Sequence, residues 1–243
     1  MMASVAKHAS RGRFITFEGL DGCGKTTQLE KLGGVLRREG INLVTTREPG
    51  GTEIGERIRA VLLDSRTAGL DAHAEMALMF ASRAQQIAQV ILPALEAGQW
   101  VLCDRFTDST EAYQGGGRRL GSEAVLQCHK ALCRGLWPDL TILMDTDVSY
   151  SVARARRRNQ AWAVTRPGSG PATDSALEPG ESDENRFEQE SHAFFTRVRN
   201  TFLEIARREP QRVVLVDARP PLEVVHPEIV RIVRERLLRG TRT

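Results

Sequence analysis

Apolar positions along the chain follow two rhythms. Short unbroken runs alternate with longer stretches in which apolar residues recur at helical spacing. The runs are RFITFEG (13–19), INLVTTRE (41–48), QWVLCDR (99–105), LTILMD (140–145) and RVVLVD (212–217). Runs this short, ended by Gly, Pro or charged residues, predict strands buried on both faces. Between the first two, Leu29, Leu32, Val35 and Leu36 mark one face of a helix over 25–39. Thr52 predicts the cap of a helix over 53–63, because its hydroxyl can accept from an orphan N–H. Residues 72–97 predict a long helix stopped by Gly98, and 121–134, 186–208 and 222–238 carry further helical patterns. This alternation predicts an α/β fold: a five-stranded parallel sheet with helices on both faces.

One stretch breaks the rhythm. Residues 159–183 run through Pro, Gly, Ser, Thr and Asp with little apolar periodicity. They fall inside the alternation, so they predict a flexible insertion within one domain over 13–243 rather than a boundary. Residues 1–12 are basic with no apolar core behind them, and read as a disordered leader rather than a secretory signal. Composition changes this little. The chain has 243 residues, 41% hydrophobic and 27% charged, with a net charge of +3. No apolar run approaches the roughly 20 residues that span a bilayer, so no membrane partner is expected. The four cysteines are scattered without a CxxC pair, which predicts reduced thiols and a cytoplasmic protein.

Chemistry enters at GLDGCGKT (19–26), which matches G-x-x-x-x-G-K-[ST] and sits between a predicted strand and helix. Glycines let the backbone curl so that successive N–H groups face phosphate oxygens, and the helix adds its positive end. Gly19, Leu20, Asp21, Gly22, Cys23, Gly24, Lys25, Thr26 and Thr27 are therefore the candidate ATP cradle of a P-loop NTPase fold. Lys25 would reach the β- and γ-phosphates, and Thr26 would ligate Mg²⁺. Asp21 is unexpected there, since a carboxylate repels phosphate. It either faces a sugar hydroxyl of a second substrate or is a turn residue in solvent.

The third run ends in Asp104 and Arg105, on the rim where ligands of open α/β sheets gather. Asp104 can serve Mg²⁺ and Arg105 can grip a phosphate; the alternative is a surface ion pair. Tyr113 and Gln114 offer an aromatic face and an amide. Phe80 and Arg83, three apart on a helix, can stack on a base and donate to it, although the pattern alone favours Phe80 as core. Arg47 can clamp phosphate from the second strand, with Glu48 beside it.

Together FEGLDGCGKTTQ, TREPGGTEIG, FASRAQQ, DRFTDSTEAYQGGGR and RFEQESHAFFTRVRNTFLEIA resemble thymidylate kinases, over about residues 13–238. The resemblance implies transfer of the γ-phosphoryl group of ATP to dTMP with Mg²⁺, in a homodimer built on the 72–97 helix, under a mobile lid over about 153–187. It implies that Asp21 meets the 3′-hydroxyl, Phe80 stacks on thymine, and Arg83 and Gln114 reach the base. Arg105 would hold the dTMP phosphate and Tyr113 would crowd the 2′ position. Arg47, Pro49 and Ser109 would shape the acceptor pocket. Some members carry an arginine in the phosphate loop; here Gly22 stands there, as in the bacterial subtype that draws its cation from the lid. That points to Arg154, Arg156, Arg157 and Arg158, with Arg156 and Arg158 favoured as catalytic beside Lys25, Asp104 and Arg105. A second departure is Asn185, where the family usually has Asp. Three rivals stand: another nucleoside monophosphate kinase, a non-catalytic nucleotide binder, and a nucleic-acid binder using RARRR. The acidic 174–190 segment argues against the last, so no nucleic-acid partner is expected.

Overall fold

The computed structural model describes residues 11–165, 186, 187 and 189–238, with 158–165 as backbone. Five strands, β1 (Phe14–Glu18), β2 (Leu43–Arg47), β3 (Trp100–Asp104), β4 (Leu140–Asp145) and β5 (Val213–Asp217), form one parallel sheet in the order β2-β3-β1-β4-β5. Each lies within the apolar run that predicts it. Nine α-helices are present among the described residues: α1 (Lys25–Arg38), α2 (Glu53–Leu63), α3 (Ala72–Gln86), α4 (Leu92–Glu96), α5 (Thr107–Thr110), α6 (Ser122–Leu132), α7 (Val148–Thr165), α8 (His192–Arg208) and α9 (Leu222–Val233).

Side chains alternate across the strands. Ile15 and Phe17 of β1 join the cluster formed with Leu29, Leu32 and Leu36 of α1 and Val225, Ile229 and Val233 of α9. Phe14 faces the other way, into Met76 and Phe80 of α3, Val101 of β3 and Val125 of α6. A third cluster joins Tyr113 to Phe194, Phe195 and Phe202 of α8. The centre of the sheet is thus dry on both sides, and polar groups collect at the strand ends. β1 pairs with β3 through Phe17 and Asp104. The segments that follow, Gly19–Thr26 and Arg105, therefore leave the sheet side by side at its C-terminal edge. Strand order changes direction there, which is where such sheets bind ligands.

Several elements differ from expectation. The long helix is interrupted by a π segment, Ile87–Ile91. Pro93 cannot donate to the carbonyl four residues back, so the hydrogen-bond ladder is disturbed just ahead of it. A helix absent from the predictions runs through α5 and a π segment, Glu111–Gly117. Its Thr, Ser and Gly residues are poor helix formers; burial on nearly every side stabilises it instead. The helix predicted over 186–208 begins at His192, where the Ser191 hydroxyl accepts from Phe194 N at 3.2 Å. Arg186 and Phe187 precede it in a turn. Order begins before the end of the predicted leader: Arg11 bonds Asp139 at 3.2 Å and Gly12 N donates to Leu95 O at 2.9 Å. The predicted insertion is helical at its start. α7 continues through 159–165, where Gln160, Ala161 and Ala163 favour helix without any apolar stripe. Residues 1–10, 166–183 and Asn185 lie outside the described residues, as does the Arg158 side chain.

Candidate active site

The loop after β1 turns through Gly19, Gly22 and Gly24, with φ of 131°, 85° and 96°, values that suit glycine. Space demands glycine as well. A Cβ on Gly19 would stand 2.3 Å from Met144 O, and one on Gly22 would stand 2.5 Å from Ser151 O and 3.3 Å from Arg154 Cβ. Helix α7 therefore lies directly against the loop, and an arginine at position 22 does not fit. No side chain caps α1, which leaves its first N–H groups for an anion. Lys25 is buried within the loop, donating to Leu20 O at 2.8 Å and Gly19 O at 3.1 Å. Leu20 packs into the Tyr113 cluster, and Thr27 is exposed on α1. Cys23 is buried, and burial pushes its thiol up, so it stays neutral.

Thr26 Oγ1 donates to Asp104 Oδ2 at 2.6 Å, and Asp104 Oδ1 is buried with no hydrogen-bond partner. A hydroxyl and a carboxylate with a spare oxygen fit Mg²⁺, a hard cation with oxygen ligands. Among the described residues no group of three or more His, Cys, Asp and Glu forms a metal site. A cation between Thr26 and Asp104 would take its remaining ligands from phosphate and water.

Arg105 joins this loop to the helix behind it. Its backbone is left-handed, φ 73°. Nη1 donates to Gly19 O at 3.0 Å and Ser109 Oγ at 2.8 Å, and Nη2 donates to Asp21 Oδ1 at 2.7 Å and Tyr113 OH at 3.3 Å. Tyr113 in turn donates to Asp21 Oδ2 at 3.0 Å. Burial opposes ionisation of Asp21, but Arg105 and Lys25 outweigh it and hold the carboxyl well below the usual range. Beneath them lies Glu18, fully buried. It accepts from Phe106 N at 2.7 Å and Ser109 Oγ at 2.5 Å. Burial, then the neighbouring Asp108, push Glu18 up to about 8.

A second group of polar residues lies between α3 and the Glu111–Gly117 segment. Arg83 donates to Glu48 Oε2 at 2.6 Å through Nε and to Thr110 at 2.9 Å through Nη2. Burial pushes Glu48 up to about 7, against the pull of Arg83. The guanidinium lies between two rings, 4.9 Å from Phe80 and 5.1 Å from Phe106. This corrects the assignment of Phe80 to the base face. Its ring has no exposed surface and cannot stack on a ligand without moving; it supports Arg83. The adjacent Met79 packs at the edge of the Tyr113 cluster. Gln114, one turn beyond Thr110, donates through Nε2 to Glu75 at 2.7 Å. Arg83 Nη1, Gln114 Oε1 and Glu48 Oε1 are buried without partners: one free donor and two free acceptors.

A family model described as thymidylate kinase matches residues 17–166. The chain belongs to the thymidylate kinase family. Among curated relatives, the thymidylate kinase of Pelobacter propionicus is 44% identical over 95% of this chain and 97% of its own. That of Desulfovibrio desulfuricans is 46% identical over 87% and 91%. A crystal structure of thymidylate kinase from Ehrlichia chaffeensis superposes with a TM-score of 0.68 at 30% identity, covering 92% of this chain and 99% of that one. The enzyme is accordingly a kinase, a phosphotransferase.

Within this family frame, the remaining predicted residues divide. Arg47 pairs with Glu56 at 3.1 Å on the surface, and buried Pro49 offers its carbonyl to Arg59 at 3.0 Å. Arg154 adjoins the phosphate loop through its Cβ, while Arg156 and Arg157 are exposed on α7. Sequence reasoning missed Glu18, Glu75 and Gln86. Gln86 staples the turn after β2 by donating to Thr46, Arg47 O and Gly50 O. Glu18 carried a signal: a carboxylate closing a strand otherwise apolar enough to be buried.

Glu18 gives a pH test. Its folded pKa of about 8 lies above the ordinary 4.5, so folding takes up a proton between those values. The resulting stability is complete below pH 4.5 and is lost as pH rises through 8. Thermal unfolding of Glu18→Gln should therefore depend less on pH between 6 and 9 than that of the parent. Parallel Tm profiles would show that Glu18 does not titrate as described.

Proposed function

We propose that the enzyme transfers the γ-phosphoryl group of ATP to dTMP, giving dTDP and ADP for dTTP synthesis. The observation that carries this reading is the buried, unpartnered pair of Arg83 Nη1 and Gln114 Oε1. Thymine presents an acceptor at O4 beside a donor at N3–H. A donor and an acceptor side by side satisfy that edge, and leaving them unpaired against another base is costly. Cytosine presents the opposite order.

The loop Gly19–Thr27 holds the triphosphate, with Lys25 at its β- and γ-groups. Thr26 and Asp104 hold Mg²⁺, which neutralises charge on the phosphate oxygens when bound. The attacking group is a phosphate oxygen, already anionic, so no strong base is required; the barrier is charge repulsion and alignment. Arg105 grips the dTMP phosphate with Ser109, Arg47 and Pro49 around it. Asp21 takes the 3′-hydroxyl, and Tyr113 crowds the 2′ position. Met79 offers the base an apolar contact in place of Phe80. Arg156 and Arg158, with Arg154 nearest the loop, supply lid cations that close over the transferred group and exclude water. The enzyme works in the cytoplasm as a homodimer meeting through α2 and α3. Ile54 and Val61 of α2 are about half exposed, and Ala74, Ala77 and Ala81 give α3 a small-residue exposed strip.

With MgATP and a panel of dTMP, dUMP, UMP, CMP and AMP, kcat/KM is expected to be highest for dTMP. UMP or AMP ahead of it, or binding without dTDP formation, would overturn the reading. In sedimentation experiments Ala77→Arg should convert a dimer to a monomer; a parent that sediments as a monomer contradicts the proposed assembly.

A further inference from the structure

We propose that Glu75 sets which base the pocket accepts, by holding the Gln114 amide in one of its two orientations. The inference rests on Gln114 facing the base and adds a positioning residue behind it. An amide side chain rotated by a half-turn keeps its shape but exchanges a carbonyl oxygen for an NH₂ group. Nothing in glutamine itself decides between them. Glu75, with no exposed surface, lies on α3 against the Glu111–Gly117 segment. Its Oε1 receives Gln114 Nε2 at 2.7 Å. Its Oε2 receives Arg186 Nη2 at 2.6 Å and Arg118 Nη2 at 3.1 Å. Both oxygens of this carboxyl thus face donors, Oε1 the Gln114 amide and Oε2 two guanidinium groups, and an amide can meet such an oxygen only through its NH₂. The NH₂ of Gln114 must therefore turn toward Glu75.

The consequence falls on the opposite side of the amide. With NH₂ committed, Oε1 points away from Glu75, where it has no partner. It can receive a proton from N3–H of thymine or uracil. Against cytosine it would meet the N3 lone pair. The reverse amide orientation would suit cytosine, but it would press the Gln114 oxygen against the Glu75 carboxylate. Glu75 thus acts as negative selection against the wrong base without touching it. Arg186 falls at the end of the stretch predicted as the lid. It is anchored on Leu62 O at 2.6 Å as well as on Glu75. Arg118, which also pairs with Glu190, completes the ring of groups around this carboxylate.

Glu75→Gln tests this directly. A glutamine at 75 can donate as well as accept, so the Gln114 amide is free to turn. The ratio of kcat/KM for dTMP to that for dCMP should fall tenfold or more, with dCMP turnover rising in absolute terms and the KM for MgATP unmoved. Equal losses on both substrates, with an unchanged ratio, would reduce Glu75 to a structural role and overturn the proposal. Gln114→Leu separates the two levels. If it leaves dTMP turnover intact, the base-pocket reading fails; if it abolishes turnover while Glu75→Gln keeps the ratio, the Glu75 proposal alone fails. Should Glu75→Gln not fold, the unmodified protein supplies the answer by NMR. The Gln114 side-chain NH₂ protons, bonded to Glu75, should exchange slowly with water and shift little when dTMP binds. Fast exchange and large dTMP-dependent shifts would place NH₂ toward the base and overturn the proposal.

Discussion

The site depends on one residue in a conformation that ordinarily belongs to glycine. Arg105 leaves β3 with φ 73°, at a cost of about 1–2 kcal/mol for a residue with a Cβ. The turn persists because it is held from several sides. Its own N–H bonds Phe17 O at 3.0 Å, which continues the pairing of β1 with β3, and the next N–H bonds buried Glu18. The reward is direction. The left-handed turn swings the guanidinium back across the end of β1, where it touches Gly19 and Asp21 of the phosphate loop together with Ser109 and Tyr113 of the helix behind. One side chain thereby ties the loop after β1 to the helix behind it; under the proposed function this fixes the distance between donor and acceptor phosphates, which in-line transfer demands.

The same logic recurs in the buried ion pairs around it. Arg105 with Asp21, Arg83 with Glu48, and Glu75 with Arg118 and Arg186 are all buried or half-buried. Such pairs recover little of the desolvation they require, so they are weak devices for stability. They are effective devices for orientation. Under the proposed function each fixes a group that meets a substrate: Arg105 the acceptor phosphate, and Arg83 Nη1 and Gln114 Oε1, both unpartnered, the base. Phe80 and Phe106 belong to the same scheme, since their rings fix the plane of the Arg83 guanidinium.

Strands and the phosphate loop were legible in the sequence because their signals are local: unbroken apolar runs, and glycines at positions that need positive φ. The α5 helix with its π continuation was not legible. TDSTEAYQGGG is a poor helix by propensity, and its helicity comes from burial against α3, α6 and α8. For Phe80 the pattern alone favours core, and its burial agrees; the stacking role came only from the family resemblance. Three-residue spacing puts Phe80 near Arg83, but it cannot say whether the ring lies over the guanidinium from the pocket or from the core. The chemistry of Glu18 and Glu75 stayed hidden because a lone carboxylate in an apolar segment has meaning only once its partners, 91 and 39 residues away, are in place. The Pro/Gly/Ser stretch begins later than its composition suggests, since Gln160, Ala161 and Ala163 carry α7 on to Thr165.

The most direct test of the role given to Arg105 is calorimetric binding of dTMP and of thymidine, which lacks the phosphate, to the parent and to Arg105→Met. If Arg105 grips the acceptor phosphate, dTMP affinity falls by about tenfold to a hundredfold more than thymidine affinity, the effect of losing a charge-assisted contact of roughly 1.4–2.8 kcal/mol. An equal fall for both ligands would mean that Arg105 only holds the pocket together, and would contradict the account.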